Sequence, residues 1–304
     1  MVKADFDRVV WNDQTIDDCR HLIRLAVRED LDRGIDLTTL ALVSESARGS
    51  AHIVARREGV VAGLLAAHLA LEEMQVDITW QPLANDADTV TAGSPLARLH
   101  GSTRDLLTVE RILLNLIGRL CGIATLTRQY VDAVLETSAR IYDTRKTTPG
   151  WRRLEKYAVG CGGGHNHRTG LFDAILIKDN HLAQANLQPD TAVTQARQFL
   201  ACHTDESTLD ACPVEIEVDT LVQFEVALGA GPDIILLDNM SNNELVEAVR
   251  LRNAGHDPVV LEASGGVQLT TVAEIAKTGV DRISVGAITH AATAQDVALD
   301  WDLA

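Results

Sequence analysis

An incomplete, TIM-like α/β barrel preceded by a small α+β domain is the fold class that this sequence predicts. Three observations carry it. Six short apolar, β-branched runs, each closing on a polar or charged residue or on glycine, occupy 139–144, 174–180, 214–219, 234–239, 259–266 and 282–287. Runs of that length without alternation suit strands buried on both faces of a parallel sheet. The strand ends at Glu217, Asp238, Glu262 and Gly286 recur at intervals of 21, 24 and 24 residues, the length of one strand–helix unit in an α/β barrel. Helix signals fill the gaps. Ser241-x-x-Glu244 and Thr271-x-x-Glu274 have the capping-box spacing, and Gly255 and Gly279 fall where helices should end. Six units are fewer than the eight of a closed barrel, so the barrel is short or incomplete. An open doubly wound sheet is the alternative.

The first third has a different texture. Ile16, Cys19, Ile23 and Val27 mark a helix over 16–30. Residues 51–55 and 95–99 read as strands, with Gly59, Gly63, Gly93 and Gly101 as punctuation. Helices are expected over 64–74 and 104–120. The boundary is placed at residue 113, giving domains 1–113 and 114–290, with the tail 291–304 packing back on the first.

The chain has 304 residues, 46% hydrophobic and 23% charged, with a formal net charge of -16. That is a globular composition. So acidic a protein is a poor general binder of nucleic acid or anionic membrane, because affinity there comes from neutralising phosphates. The start is polar and acidic, without a signal or transit pattern. The longest nearly apolar stretch, 60–71, is shorter than the roughly 20 residues of a membrane span. Five cysteines with no CxxC pair argue against both a disulfide framework and structural zinc. The expectation is a cytoplasmic protein with reduced thiols.

The charge is unevenly spread. Residues 140–181 hold eight Lys and Arg against four acids, a net charge of +4 that leaves -20 for the rest. Arg145 and Lys146 directly follow a buried-type strand and Lys178 ends another, so these cations face a barrel mouth rather than a free helix face. Arg grips carboxylate or phosphate with paired hydrogen bonds, and Lys supplies a compact charge. Several together imply a small polyanionic ligand. The loop Gly162-Gly163-Gly164-His165-Asn166-His167-Arg168 follows a helix ending near Val159. Its glycines allow close backbone approach, with His167 and Arg168 aimed inward. His165-x-His167 has no third ligand at a metal-motif spacing.

Glu217 and Asp238 end successive strands. They are candidates for Mg²⁺, which takes one or two carboxylates plus substrate oxygens and water, or for ribose hydroxyls. Strand alternation puts Glu215 and Glu217 on one face. Ser264-Gly265-Gly266 and Val285-Gly286-Ala287 end the last two strands, where small residues let backbone N–H groups cradle a phosphate. The inventory reads as a site for a phosphorylated sugar, Mg²⁺ and a second anion.

The segment DTRKTTPGWRRLEKYAVGCGGGHNHRTGLFDAILIKDNHL (143–182) resembles the signature of the quinolinate phosphoribosyltransferases, the carboxylating nicotinate-nucleotide pyrophosphorylases. The likeness extends to 109–125, EIEVDT (215–220), ILLDNM (235–240), LEASGG (261–266) and SVGAITH (284–290). Trp151 and Cys121 depart from the commoner Leu and Ser. The resemblance implies an N-terminal α/β sandwich domain, an incomplete barrel and at least a homodimer with sites at the subunit interface. It also implies Mg²⁺-dependent joining of quinolinate to 5-phosphoribosyl 1-pyrophosphate, a step of NAD biosynthesis. By motif position, Arg111 reaches quinolinate across the interface, Arg145, His167, Arg168 and Lys178 line the pocket for its two carboxylates, and Thr144 is a further substrate-binding residue. Lys146 and Lys178 serve the pyrophosphate. Glu217 and Asp238 hold ribose and Mg²⁺, and Ser264, Gly265, Gly266, Val285, Gly286 and Ala287 hold the 5′-phosphate. Lys146, Lys178, Glu217 and Asp238 are the catalytic set. Alternatives are the related phosphoribosyltransferase associated with molybdate transport, or a Schiff-base lyase or aldolase using Lys178.

Overall fold

Two patterns of burial organise the chain. Antiparallel strands with one covered face dominate its first third, and parallel strands with two covered faces dominate the rest. The computed structural model describes residues 5–32, 34–203, 212–255 and 258–302. The chain divides into two compact units. One comprises 9–128, 147–163 and 288–304; the other comprises 1–8, 129–146 and 164–287.

The first unit opens with helix Asp13–Leu31, where the Asn12 side chain accepts the Thr15 N–H at 3.1 Å. Cys19 and Ile23 on this helix are fully buried, as their spacing requires. Strands β1 (Arg48–Ala55), β2 (Gly59–Val60), β3 (Ile78–Pro82), β4 (Thr89–Val90) and β5 (Pro95–Ser102) follow, with helix Leu64–Met74 between β2 and β3. β1 pairs antiparallel with β5, and β5 with β3. Both β1 and β5 outrun the expected 51–55 and 95–99, because each supplies the other's ladder out to Arg48 opposite Ser102. The helix expected over 104–120 runs from Thr103 to Ala133. Its buried face continues through Cys121, Ile123, Ala124 and Thr127. Residue 113 therefore lies inside an unbroken helix, and the units part near residue 128.

In the second unit, β6 (Arg140–Tyr142), β7 (Ile175–Ile177), β8 (Val214–Val218), β9 (Ile234–Asp238), β10 (Val260–Ser264) and β11 (Arg282–Ser284) form one parallel sheet. Their order is β6-β11-β10-β9-β8-β7. β7 to β11 lie side by side in chain order, and β6 then pairs with β11 at the far edge, so the sheet comes round on itself. A doubly wound sheet would reverse its order at a switch point; this one does not. Between β6 and the β7 side, a single parallel bridge joins Tyr142 to His165. Ser241 and Glu244 form the expected capping box of helix Asn242–Ala254. Thr271 does not repeat it. Its hydroxyl donates to the Gln268 carbonyl at 3.1 Å. Its own backbone is already helical, at φ -111 and ψ -19, whereas an N-cap is extended.

After the barrel strands the chain returns to the first unit as β12 (Val297–Trp301), antiparallel to β1. A glycine in the long helix permits this return. A Cβ on Gly122 would stand 2.1 Å from the Thr293 carbonyl oxygen. Arg119, one turn earlier, donates to Glu155 Oε1 at 2.7 Å and to the carbonyls of Ala292 at 2.7 Å and Thr289 at 2.8 Å. Glu155 is fully buried and also accepts the Thr148 hydroxyl at 2.8 Å. Arg119→Met strands that carboxylate. The expected loss is about 3–5 kcal/mol in urea unfolding, because a buried charge loses its partner. Arg119→Met combined with Glu155→Leu should be less destabilised than the single variant; equal loss would show that the ion pair is not what holds this corner.

Candidate functional site

Alternation along the barrel strands builds the site. Parallel register sets Leu176 beside Glu215, Glu217 beside Leu236, Leu236 beside Glu262, and Glu262 beside Arg282. These residues share one face, and the residues between them (Ile216, Leu237, Leu261, Ile283) are buried on the other. On the first face, at the ends of the strands, lies a cavity of about 410 Å³. Its lining includes Thr144, Arg145, Lys146, His167, Arg168, Lys178, Glu217, Asp238 and Ser264, nine of the residues singled out from the sequence. Leu176, Leu236, Glu262 and Ser284 complete it. They were legible by parity: each stands two residues before Lys178, Asp238, Ser264 or Gly286.

The remaining candidates are placed differently. Gly265, Gly266, Val285, Gly286, Ala287 and Arg111 are not among the lining residues. Gly265 has φ +93, and a Cβ there would meet Asn239 Oδ1 at 2.2 Å, so glycine is required for the turn after Ser264. The N–H of Val285 donates to the Tyr142 carbonyl at 2.8 Å. That extends the strand pairing and leaves this N–H unavailable for a phosphate. Arg111 is exposed on helix Thr103–Ala133.

Asp143 is the anchor that the sequence reading left out. It is fully buried just beyond β6, accepts the Asn166 amide at 2.7 Å, and accepts the His167 backbone N–H at 2.9 Å. Those bonds fix the loop that carries His167 and Arg168. The His167 ring accepts the Arg168 N–H at Nδ1, 2.8 Å away. Its Nε2 faces Glu215 Oε2 at 3.1 Å and Glu262 Oε1 at 3.5 Å. His165 turns away to stack on Tyr142 at 5.2 Å, so the two histidines do not converge on one ion. Among the described residues, His167, Glu215 and Glu262 gather their ligating atoms within 4.8 Å.

The electrostatics point at an anion. Burial, and then the nearby Arg145 charge, lower the Arg168 pKa. The Nε groups of both arginines are buried without a protein acceptor among the described residues. Lys178 Nζ is ion-paired with Glu217 Oε2. Burial raises the Glu217 pKa, Lys178 opposes that rise, and the Asp238 charge adds to it. The Glu262 pKa is also raised, by burial first and by the neighbouring Glu215 charge second. Glu217 and Asp238 offer two hard oxygen donors at the open end. That set fits a Mg²⁺ that completes its shell with substrate oxygens and water.

Known proteins with this architecture share its sequence. The family model "Quinolinate phosphoribosyl transferase, N-terminal domain" matches residues 36–121, and its C-terminal counterpart matches 123–300. The nicotinate-nucleotide pyrophosphorylase (carboxylating) of Mycobacterium leprae is 42% identical over 293 residues, covering 95% of this chain and 99% of that protein. A probable one from Bacillus subtilis is 39% identical over 275 residues, 90% of each chain. The solved nicotinate-nucleotide pyrophosphorylase of Francisella tularensis superposes with a TM-score of 0.87 at 36% identity, covering 98% of this chain and 100% of its own.

Asp143→Ala abandons two buried donors at about 1–3 kcal/mol each. The expected outcome is a lower thermal midpoint and faster hydrogen exchange at the Asn166 and His167 amides. Exchange unchanged at those two amides would show that the loop is held by something else.

Proposed function

The chain belongs to the quinolinate phosphoribosyltransferase family, and from that premise we propose how its cavity residues divide the work. The enzyme is a pentosyltransferase of NAD biosynthesis. It joins quinolinate to 5-phosphoribosyl 1-pyrophosphate and yields nicotinate mononucleotide, pyrophosphate and CO₂. The convergence of Arg145, Lys146, Arg168 and Lys178 on one cavity that also presents Glu217 and Asp238 carries the reading.

Arg145 and Arg168 take the two carboxylates of quinolinate, which matches their buried Nε groups, neither with a protein acceptor among the described residues. This grip turns the ring nitrogen toward the anomeric carbon. Lys146 faces the pyrophosphate. Lys178 exchanges its bond to Glu217 for substrate oxygens, which frees Glu217 for the ribose hydroxyls beside Asp238. Mg²⁺, when held by Glu217 and Asp238, would neutralise charge on the departing pyrophosphate. As the C1–O bond to pyrophosphate breaks, the ribose gains oxocarbenium character and the ring nitrogen closes on it. Lys146 and Lys178 stabilise the leaving anion. The ribosylated ring nitrogen is then positive. It accepts the electron pair of the adjacent C–CO₂ bond as CO₂ leaves, and a proton replaces the carboxyl group. The turn at Ser264–Gly266 and the residues Gly286 and Ala287 receive the 5′-phosphate.

We read Arg111 as serving a second copy of the chain in a homodimer, which its exposure supports. We read the protein as resident in the cytoplasm, with its five cysteines as thiols rather than disulfides. No helix among the described residues is long and apolar enough to cross a membrane. Lys178 is tied into an ion pair with Glu217, whereas a Schiff-base lysine is desolvated and reactive. This disfavours the lyase reading.

Purified enzyme supplied with quinolinate, 5-phosphoribosyl 1-pyrophosphate and Mg²⁺ should release CO₂ and nicotinate mononucleotide; folded protein without product overturns the reaction. Arg145→Ala and Lys178→Ala should each lower kcat/KM by about 10²–10³-fold, the scale of a lost transition-state contact. Arg152→Ala, outside the cavity, should change it by less than about threefold. Chelation with EDTA should abolish turnover, and added Mg²⁺ should restore it. Mixing inactive Arg111→Ala with inactive Lys178→Ala should restore part of the activity if the site is shared between copies. No restoration, under conditions where subunits exchange, would place Arg111 outside the site.

A further inference from the structure

We infer that Phe6, in the N-terminal segment, is a positioning residue for the substrate site: it holds the His167 ring in place and, through that ring, Arg168. The inference rests on the reading of Arg168 as a grip on quinolinate.

His167 lines the cavity, yet both its ring nitrogens are engaged by protein. Nδ1 accepts the Arg168 backbone N–H at 2.8 Å. An acceptor Nδ1 places the ring proton on Nε2. There the carboxylates of Glu215 and Glu262 stand 3.1 and 3.5 Å away. The imidazole therefore does not direct an N–H at a ligand. It works as a spacer whose orientation determines where the Arg168 backbone sits. Two edges of the ring are held by hydrogen bonds and charge. One face is held by Phe6, whose ring stacks on it with centroids 4.3 Å apart and planes 27° from parallel. Without that face contact, the ring can turn about its Cβ–Cγ bond. Turning breaks the bonds at both nitrogens together.

Phe6 is itself fastened. The neighbouring Asp5 accepts the Tyr142 hydroxyl at 2.7 Å and pairs with Arg282 Nη2 at 3.0 Å. The Arg282 guanidinium lies 5.4 Å from the Phe6 ring centroid and 4.7 Å from that of Tyr142. Arg282 is nearly buried, and its register partner on β10 is Glu262. Asp5 thus fastens the segment to Tyr142 and to Arg282, which lies beside Glu262 in the sheet register, while Phe6 touches His167 directly. A segment that merely covered apolar surface would need neither the ion pair nor the ring stack.

The test uses the full-length enzyme with Phe6→Ala, Phe6→Leu and Phe6→Tyr. Leu keeps bulk without a ring, and Tyr keeps the ring. Ala and Leu should raise KM for quinolinate about tenfold, as a slightly misplaced grip does, while KM for 5-phosphoribosyl 1-pyrophosphate stays within about twofold. Tyr should restore the parent value. In ¹⁵N-edited spectra, the parent His167 should show an unprotonated Nδ1 and a protonated Nε2. Phe6→Leu should average the two tautomers. The inference is overturned if Ala and Leu leave KM for quinolinate unchanged, if both KM values rise together, or if the His167 signals do not move. Should the parent enzyme fail to turn over quinolinate, the function fails first, and the His167 signals still decide whether Phe6 holds the ring.

Discussion

Four cations held at one mouth repel each other, and the barrel unit is arranged around that repulsion. Two unit charges about 6 Å apart, at an effective dielectric of about 20, oppose each other by roughly 3 kcal/mol. Arg145, Lys146, Arg168 and Lys178 all line the cavity, so the folded chain must offset several such pairs. It does so by depth. Glu215 and Glu262 lie fully buried beneath the mouth, and Glu217 meets Lys178 nearer the rim. The deep carboxylates engage His167 rather than the arginines. The two guanidiniums therefore keep Nε groups without a protein acceptor among the described residues. A pocket neutralised by direct ion pairs would bind nothing. One neutralised from a layer below stays attractive to an anion.

The other unit handles a buried charge in the opposite way, and the contrast shows what marks a site. Arg119 spends its guanidinium on Glu155 and on two backbone carbonyls. Glu155 in turn accepts both the hydroxyl and the backbone N–H of Thr148. Every strong donor and acceptor there finds a partner inside the fold, so the cluster can only hold structure together. Arg168 is as deeply placed as a residue of that kind. Among the described residues, however, its side chain makes only a long 3.3 Å hydrogen bond, to the Ala174 carbonyl. Burying charge costs free energy unless hydrogen bonds return it. Where the protein leaves that deficit standing in a cavity, a ligand is the group that removes it.

The parallel strands were readable because β-branched runs ended on polar residues at a regular interval, and that rhythm depends only on local sequence. What escaped depends on contacts made far along the chain. The helix expected over 104–120 continues to Ala133, straight through Gly118 and Gly122. They are tolerated because the returning tail lies against Gly122. Thr271 carries a capping signature but caps a turn with Gln268 instead. Asp143 was counted as one acid in a basic window, although its carboxylate organises the loop that places His167. Nothing local to Asp143 marks it as a buried acid rather than an exposed one. The inner-face residues Glu262 and Leu236 were a nearer miss, since counting back by two from a strand-end candidate finds them.

Depth along a strand, more than residue type, settles what a side chain can do here. Glu215 and Glu217 are one pleat apart on β8 and share a face. Glu215 is wholly enclosed and ends on an imidazole. Glu217 keeps 11% of its side chain exposed and ends on a lysine that is itself 42% exposed. The first pair has no room to change partners, because any rotation leaves a carboxylate unpaired in the barrel interior. The second can open toward a ligand, because solvent and substrate oxygens can replace the lysine at little cost. The same logic extends across the sheet. Leu176, Leu236 and Glu262 sit one pleat below Lys178, Asp238 and Ser264 and form the floor of the cavity, where Glu262 faces the His167 Nε2 at 3.5 Å. The upper layer is adjustable because its charges are shared with whatever enters. A barrel with this layering can hold two anions in register while its own ion pairs rearrange only at the rim.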